Sequence, residues 1–394
     1  MSVHPGPERP PTALVRERDG ASCSPVRWTV PGVGVGSAWR AMCAAFAAQA
    51  SGTPGQRAKL LVQGVPEERT AWWPHRWGGD EAGPQRWLAA LAPLVGDGGC
   101  FAYARDVQRY HRPLFEALVG ALAPYLARLG MPGGPVEAEV FFGDYRCTPG
   151  GIHRERCANV HLVLAGTKSM HFWPDSGWPP PGTPVRADGA PDSGAPEEYL
   201  PGLDPAAVMG GAQTLTAGKG GGFSWTAGTW HVGETHGPAL ALNIAAYERT
   251  TGADPLPLWG ERLHGEVPPA WLTAYGEHTG SRDTEWGPLA RLSALGMRPA
   301  PPGPPRWPEG GKGGPGDRVR CRTAAPVLWA EDRRGHLSVA AMGALTTVPH
   351  TAEVRDWLAP ATRPDGVPRA VPPSCRTLAA WLCRQGILDH RESA

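Results

Sequence analysis

Apolar and polar positions follow one period in the first third of the chain and another in the middle. Residues 38–50 are apolar and alanine-rich and predict a helix, as do residues 84–94. Short apolar runs at 59–62 and 101–104 predict strands. After Asp106, at a helix start, apolar residues recur at Leu114, Leu118, Leu122, Tyr125, Leu126 and Leu129. That spacing predicts a helix over 107–129, with a kink or break at Pro124 and an end at the glycines of 130–134. From Val136 the period becomes two: Val136, Ala138 and Val140 alternate with Glu137 and Glu139. A second alternation over 158–164 sets Val160, Leu162 and Leu164 against Asn159, His161 and Val163. A turn at Ala165-Gly166-Thr167 and a run at 168–173 follow, which together predict a β-hairpin. Further strands are expected at 214–216, 222–225 and 239–247. Residues 174–209, rich in Pro, Gly, Asp and Ala, form a long excursion of a kind associated with function or mobility.

The stretch 136–247 is too interrupted for a parallel α/β sheet and suits a small antiparallel barrel or sandwich. Helical character returns over 257–295 through Trp259, Leu263, Trp271, Leu272, Tyr275, Leu289, Leu292 and Leu295. Residues 299–316 read as a Pro/Gly linker. Beyond it, strands are expected near 327–329, 337–339 and 354–358, and an amphipathic helix at 378–388. The expected organisation is a flexible tail at 1–25, a mainly β core with N-terminal helices at 26–250, a helical segment at 251–298, the linker, and a small unit at 317–394. Its short helices and strands look winged-helix-like. The fold class is α+β with a mainly β core, and no internal repeat is evident.

Composition narrows the function classes. Among 394 residues, 38 basic and 37 acidic side chains leave a net charge of +1, which implies neither nucleic acid nor a membrane surface as partner. There is no run of 18 apolar residues and no basic-then-apolar signal pattern at Met1, so a cytoplasmic protein is expected. Gly 53 and Pro 45 make up about a quarter of the chain, concentrated in a few runs that mark loops. Several of the 17 tryptophans (Trp72, Trp73, Trp77, Trp173, Trp178, Trp307) lie in such contexts and are expected to pack irregular segments on a core. The eight cysteines contain no C-x-x-C pair, which argues for free thiols. Cys147 and Cys157 flank the motif described next, and packing is the expected role of both.

One constellation implies chemistry. Residues i and i+2 of a strand point to the same side, so His153 and Glu155 would face one metal ion together, with Arg154 turned away. His231, behind a glycine turn and Trp230, could complete the set from a neighbouring strand. Two imidazoles and a carboxylate suit iron(II) with open positions, whereas zinc fills its sphere more completely. A lone His-x-Glu arises often by chance, and the chain has 13 histidines, so the context carries the weight. Glu234 and His236 do not form the H-E-x-x-H of a zinc peptidase and are expected in a loop at the mouth of the site.

The context resembles the JmjC/cupin-like iron(II)- and 2-oxoglutarate-dependent dioxygenases. Gly151-Ile152-His153-Arg154-Glu155 followed by Gly166-Thr167-Lys168-Ser169-Met170-His171-Phe172-Trp173-Pro174 is similar to that family's G-x-H-x-D/E motif and the strand after it. The run from Gly220 to His231 looks like its G-W-W-H segment, and Ala239-Leu240-Ala241-Leu242-Asn243 like the strand that follows. The resemblance covers roughly 136–247 and implies a double-stranded β-helix (a jelly-roll or cupin barrel) with iron(II) held by His153, Glu155 and His231. It implies 2-oxoglutarate and O₂ as cosubstrates, with Lys168 on the distal carboxylate of 2-oxoglutarate. Asn159, Asn243, Thr148 and Tyr145 are candidate cofactor-binding residues, and no catalytic side chain is expected beyond the metal ligands. Glu155 stands where the hydroxylases more usually have Asp, and the second motif's Asp and Pro fall at Gly221 and Thr226. The layout is closest to the ribosomal-oxygenase-like branch, which implies a peptide or protein side chain as substrate and a homodimer formed through the helical segment. A small-molecule tailoring hydroxylase and a non-catalytic cupin-like binding protein are the alternatives.

Overall fold

The computed structural model describes residues 22–78, 80–96, 99–129, 135–173, 178–189, 196–201, 203–247, 263–264, 287–303, 307, 316–331 and 335–391. The chain divides into two units, residues 1–114 with 134–250 and residues 115–133 with 251–394. Helix and sheet are mixed and every strand pairing is antiparallel.

In the first unit the strands are β1 (Cys23–Val26), β2 (Ala58–Val62), β3 (Val65–Pro66), β4 (Cys100–Ala104), β5 (Val136–Asp144), β6 (His153–Arg154) and β7 (Cys157–Ala165). They continue as β8 (Thr167–Trp173), β9 (Arg186–Gly189), β10 (Pro196–Tyr199), β11 (Gln213–Gly218), β12 (Gly222–Trp225), β13 (Trp230–Thr235) and β14 (Ala239–Tyr247). An eight-stranded sheet runs β1-β12-β7-β14-β5-β4-β2-β3, and a six-stranded sheet runs β11-β8-β13-β6-β10-β9. Every residue of β14 is buried, as a strand between β5 and β7 requires. Val163, Met170, Phe172, Phe223 and Trp225 come from both sheets and form one buried cluster between them. Helices α1 (Val35–Ala50) and α2 (Gly83–Val95) cover the eight-stranded sheet, where Trp39 meets Trp87 and Phe142 with ring centroids 5.9 and 5.6 Å apart.

Four expectations change. Residues 23–25, placed in a flexible tail, belong to the edge strand Cys23–Val26, which pairs with β12. β7 and β8 are not a hairpin: β7 pairs with β12 and β14, while β8 pairs with β11 and β13. The turn at Gly166 (φ +75°) carries the chain from one sheet to the other, and a Cβ there would fall 2.2 Å from the Pro238 carbonyl oxygen. The long helical run splits into a 3₁₀ turn at Val107–Tyr110 and α3 (Arg112–Leu129), which contains Pro124 without ending there. Residues 354–358 are helical, because Thr351 caps the Val354 amide and starts a helix at Ala352.

The second unit contains a four-stranded sheet and a three-stranded sheet. The first pairs Leu263–His264, Val327–Glu331, His336–Ala341 and Ala344–Pro349 in that order. The second sets Arg318–Cys321 between Arg369–Ala370 and Leu388–Arg391. Helices at Ala352–Ala361 and Arg376–Arg384 accompany them. The winged-helix expectation finds no support beyond this mixture of short elements. Most of the helical segment at 251–298 and of the linker at 299–316 lies outside the described residues, and with it the dimerisation surface expected there. No helix among the described residues is long and apolar enough to cross a membrane.

Candidate metal centre

β6 and β13 are neighbours, and His153 and His231 lie directly opposite each other in register. Glu155 follows β6 by one residue, so the i, i+2 relation brings it to the same side as His153. His153 Nε2 lies 3.4 Å from Glu155 Oε1, and His231 Nε2 lies 3.6 Å from Glu155 Oε2. All three donor atoms fall within 4.8 Å of one another, the one such group of His, Cys, Asp or Glu side chains among the described residues.

Second contacts orient both imidazoles. Nδ1 of His153 donates to the Gly151 carbonyl and Nδ1 of His231 to the Thr229 carbonyl, each at 2.9 Å. With the proton on Nδ1, the Nε2 lone pair is left for a metal, which is the usual second-contact pattern of a ligating histidine. Glu155 Oε2 is buried and accepts no hydrogen bond. Two oriented Nε2 atoms and a buried carboxylate oxygen without a donor fit a divalent metal ion. Burial lowers His231 to about 4, which keeps it neutral as a ligand must be. Burial raises the pKa of Glu155, but the two imidazoles outweigh this and it is lowered to about 2. For His153, burial is outweighed by the hydrogen bond and charge of Glu155, and its pKa is raised.

Lys168 lies on β8, next to β13, and is 3% exposed. Its Nζ sits 4.8 Å over the Phe141 ring and 5.6 Å over the Tyr145 ring, and no carboxylate among the described residues pairs with it. Burial lowers it to about 7. Thr148 is close to Lys168, since a Cβ built at Gly233 would meet Thr148 Oγ1 at 3.0 Å and Lys168 Cε at 3.1 Å. The Thr148 hydroxyl is already engaged: it donates to the Gly233 carbonyl at 2.9 Å and accepts from the Gly233 amide at 3.0 Å. Asn159 and Asn243 are bonded to each other, Asn243 Nδ2 donating to Asn159 Oδ1 at 2.7 Å and to Glu139 Oε2 at 2.9 Å. Asn243 Oδ1 is buried without a hydrogen bond.

A cavity of about 650 Å³ reaches His153 and Glu155 and is walled by Phe101, Tyr103, Phe141 and Tyr199. His231 and Lys168 lie outside its lining. Glu234 and His236 are not at its mouth. Glu234 is within β13, on the face opposite the ligands, 3.2 Å from His171, and His236 bonds Ser169 at 2.7 Å. Cys157 is buried, and Cys147 packs against the cluster of Ile152, Trp173, Leu200, Trp230 and Val232.

Three features escaped the sequence reading. His161, beside Phe141 and Trp225, is buried with no hydrogen bond to Nε2. Glu137 and Glu139, which look like the solvent side of β5, are 5% and 7% exposed. Both face Arg105, whose Nε is 2.8 Å from Glu137 and 3.6 Å from Glu139. Burial pushes Glu139 up to about 7, while Arg105 and the hydrogen bonds from Tyr103 and Asn243 pull the other way. Tyr199 and Glu197 of the 174–209 excursion also reach the cavity. Only histidine's chemistry could have singled out His161. The pair of glutamates carries no signal in the sequence, and the composition that marks the excursion as functional or mobile does not single out Tyr199 or Glu197.

No protein-family model matches the chain, and no curated protein matches it in sequence. Among solved structures, the chain is similar to the Escherichia coli ribosomal oxygenase YcfD, at 14% identity over 74% of this chain and 78% of that one, with a TM-score of 0.35. YcfD in complex with cobalt and 2-oxoglutarate matches at 13% identity over 74% and 79%, with a TM-score of 0.33. Bacillus subtilis oxalate decarboxylase OxdC matches at 9% over 39% of this chain and 27% of that one, with a TM-score of 0.20. Likenesses this distant carry nothing about reaction or substrate, so function is read from the site itself.

Proposed function

We propose that the protein is an iron(II)- and 2-oxoglutarate-dependent oxygenase that hydroxylates a side chain of a peptide or protein. The observation that carries this reading is the His153–Glu155–His231 group together with an unpaired buried lysine two strands away in the same sheet. Two imidazoles and one carboxylate leave a metal open to further ligands. A lysine deep among aromatic rings supplies the counter-charge for a dicarboxylate. The strand orders β12-β7-β14-β5 and β11-β8-β13-β6 support a double-stranded β-helix built from two facing four-stranded halves.

In this reading His153, Glu155 and His231 hold the metal, which with 2-oxoglutarate and O₂ supplies the oxidising chemistry. The protein's own side chains do the rest. The Gly151 and Thr229 carbonyls fix the tautomers of the two histidines. Lys168 binds and orients the far carboxylate of the oxo acid. Phe172 and Trp225, with ring centroids 6.2 and 4.8 Å from that of His231, keep water from the back of the site. The cavity is of a size that admits either a substrate side chain or a small molecule, and the choice of a peptide or protein substrate is the part of this reading that the mapping below tests. The test is succinate formation from 2-oxoglutarate with iron(II), combined with mass-spectrometric mapping of an added oxygen on candidate peptides. Both signals should be lost in His153→Ala. A wild-type protein that binds metal and 2-oxoglutarate but forms no succinate with any peptide or small molecule would instead be a binding protein.

A further inference from the structure

β9 and β10 (Arg186–Gly189 and Pro196–Tyr199) lie in the long excursion at 174–209, and they reach the metal centre. β9 and β10 extend the six-stranded sheet past β6, so that Tyr199 stands directly opposite His153. Their rings stack, with centroids 5.7 Å apart and planes 21° from parallel. Arg186, opposite Tyr199 on β9, lies 5.4 Å over the Tyr199 ring. A Cβ at Gly150 (φ +104°) would come within 3.1 Å of Tyr199 Cε1, so the loop before His153 leaves the ring its place. The Tyr199 hydroxyl donates to Glu197 Oε2. Glu197 Oε1 accepts from Arg105 Nη1 at 3.4 Å. Arg105 is itself fixed by Glu137 at 2.8 Å and by the Tyr247 hydroxyl at 2.5 Å.

A line of contacts therefore runs from a buried guanidinium to the face of His153. The bond from Nδ1 to Gly151 holds one edge of the His153 ring. The Tyr199 ring stacked on its face adds a second contact that resists tilting of the ring plane.

We propose that Tyr199 is a positioning residue for the metal centre: held by Glu197, it fixes the plane of His153 so that Nε2 faces Glu155 and His231, and the inserted hairpin is thereby part of the metal site. This rests on the reading of those three residues as metal ligands. A residue that only walled the cavity would affect substrate and leave metal affinity alone.

The full chain is titrated with cobalt(II), without 2-oxoglutarate or substrate, following the visible absorption of the bound ion. Tyr199→Leu should lose about ten- to a hundredfold in cobalt affinity and shift the spectrum, the scale on which outer partners of metal ligands act. Tyr199→Phe, which keeps the ring and loses only its bond to Glu197, should lose less than Tyr199→Leu, and Glu197→Gln, which weakens that same bond, should show a small loss comparable to that of Tyr199→Phe. Circular dichroism and melting of the metal-free proteins check folding. Wild-type affinity and spectrum in Tyr199→Leu overturn the proposal, and so does an equal loss in Tyr199→Phe. If Tyr199→Leu does not fold, Glu197→Gln decides: a shifted spectrum supports the role and a wild-type titration removes it. Cobalt binding that survives in His153→Ala and His231→Ala would defeat the metal reading itself, separately from the role of Tyr199.

Discussion

Among its described residues the first unit buries two Lys or Arg side chains and treats them in opposite ways. Arg105 is 6% exposed and has Glu137, Glu139 and Glu197 within 3.6 Å. Lys168 is 3% exposed and has only ring faces, those of Phe141 and Tyr145. A buried charge without a partner is costly, so a fold that keeps one reserves it for a charge that arrives from outside. Arg105 is a cation that the chain satisfies itself and uses as an anchor. In the proposed function, Lys168 is a cation whose partner is a ligand. The contrast separates scaffold from site more sharply than burial alone, which is nearly the same for the two.

The strongest way to break the comparison is to remove Arg105. Arg105→Met leaves Glu137 and Glu139 buried beside an apolar stem. Removing one partner of a buried pair typically costs about 3–5 kcal/mol. A loss of that size is expected in urea unfolding of the metal-free protein, and a loss below about 1 kcal/mol would show that the carboxylates relax to water.

Lys168→Met makes the opposite prediction. Affinity for 2-oxoglutarate, measured by calorimetry on the cobalt-loaded protein, should fall about a hundredfold, the equivalent of ~3 kcal/mol from a lost charge-assisted contact. Cobalt affinity should not change. The metal-free protein should become more stable, because a buried charge with no partner has been replaced by an apolar side chain of similar length. Unchanged 2-oxoglutarate affinity would make Lys168 an ordinary core lysine and end the comparison.

The two cations also differ in how far the sequence reveals them. His153 and Glu155 are legible because strand alternation states which way each side chain points and the residue types state the chemistry, whereas Lys168 stands out only through the family resemblance. The Arg105 cluster is not. Glu137 and Glu139 occupy the polar phase of an alternation, and the pattern is the same whether that phase meets solvent or an internal guanidinium. Arg105 and Glu197 are 92 positions apart, so only the folded chain brings them together. The failed hairpin at 158–173 has a related cause: a glycine turn fixes a reversal of direction but not whether the second strand pairs with the first or joins another sheet. Asn159 and Asn243 were legible as polar residues on interior strands and Thr148 as a polar residue just before the His153 motif, yet their bonds to each other, to Glu139 and to the Gly233 backbone depend on register and loop placement, which residue types do not specify.

The smallest expected effect is a pH dependence confined to Lys168, whose pKa is lowered by burial to about 7 from its ordinary 10.5. Between those two values the unfolded chain holds a proton that the folded, metal-free protein has released. The Lys168 contribution, read as the difference between wild type and Lys168→Met, should therefore stabilise the protein as pH rises across this window, because the unfolded state binds more protons at this group. The Cys23, Cys43 and Cys100 thiols, whose pKa values burial raises, act in the opposite sense above about pH 9 in both proteins. Below about 7 both states are charged and the full cost of burying the charge is present. Binding of a carboxylate favours the charged lysine, so 2-oxoglutarate binding takes up a proton once the free protein has begun to lose it. Affinity should then be flat below about pH 6 and fall by about tenfold from pH 6 to pH 8. Calorimetry in buffers of different ionisation heats reads the proton taken up directly. Lys168→Met should abolish both the uptake and the slope, whereas wild-type slopes in that variant would assign the titration to another group.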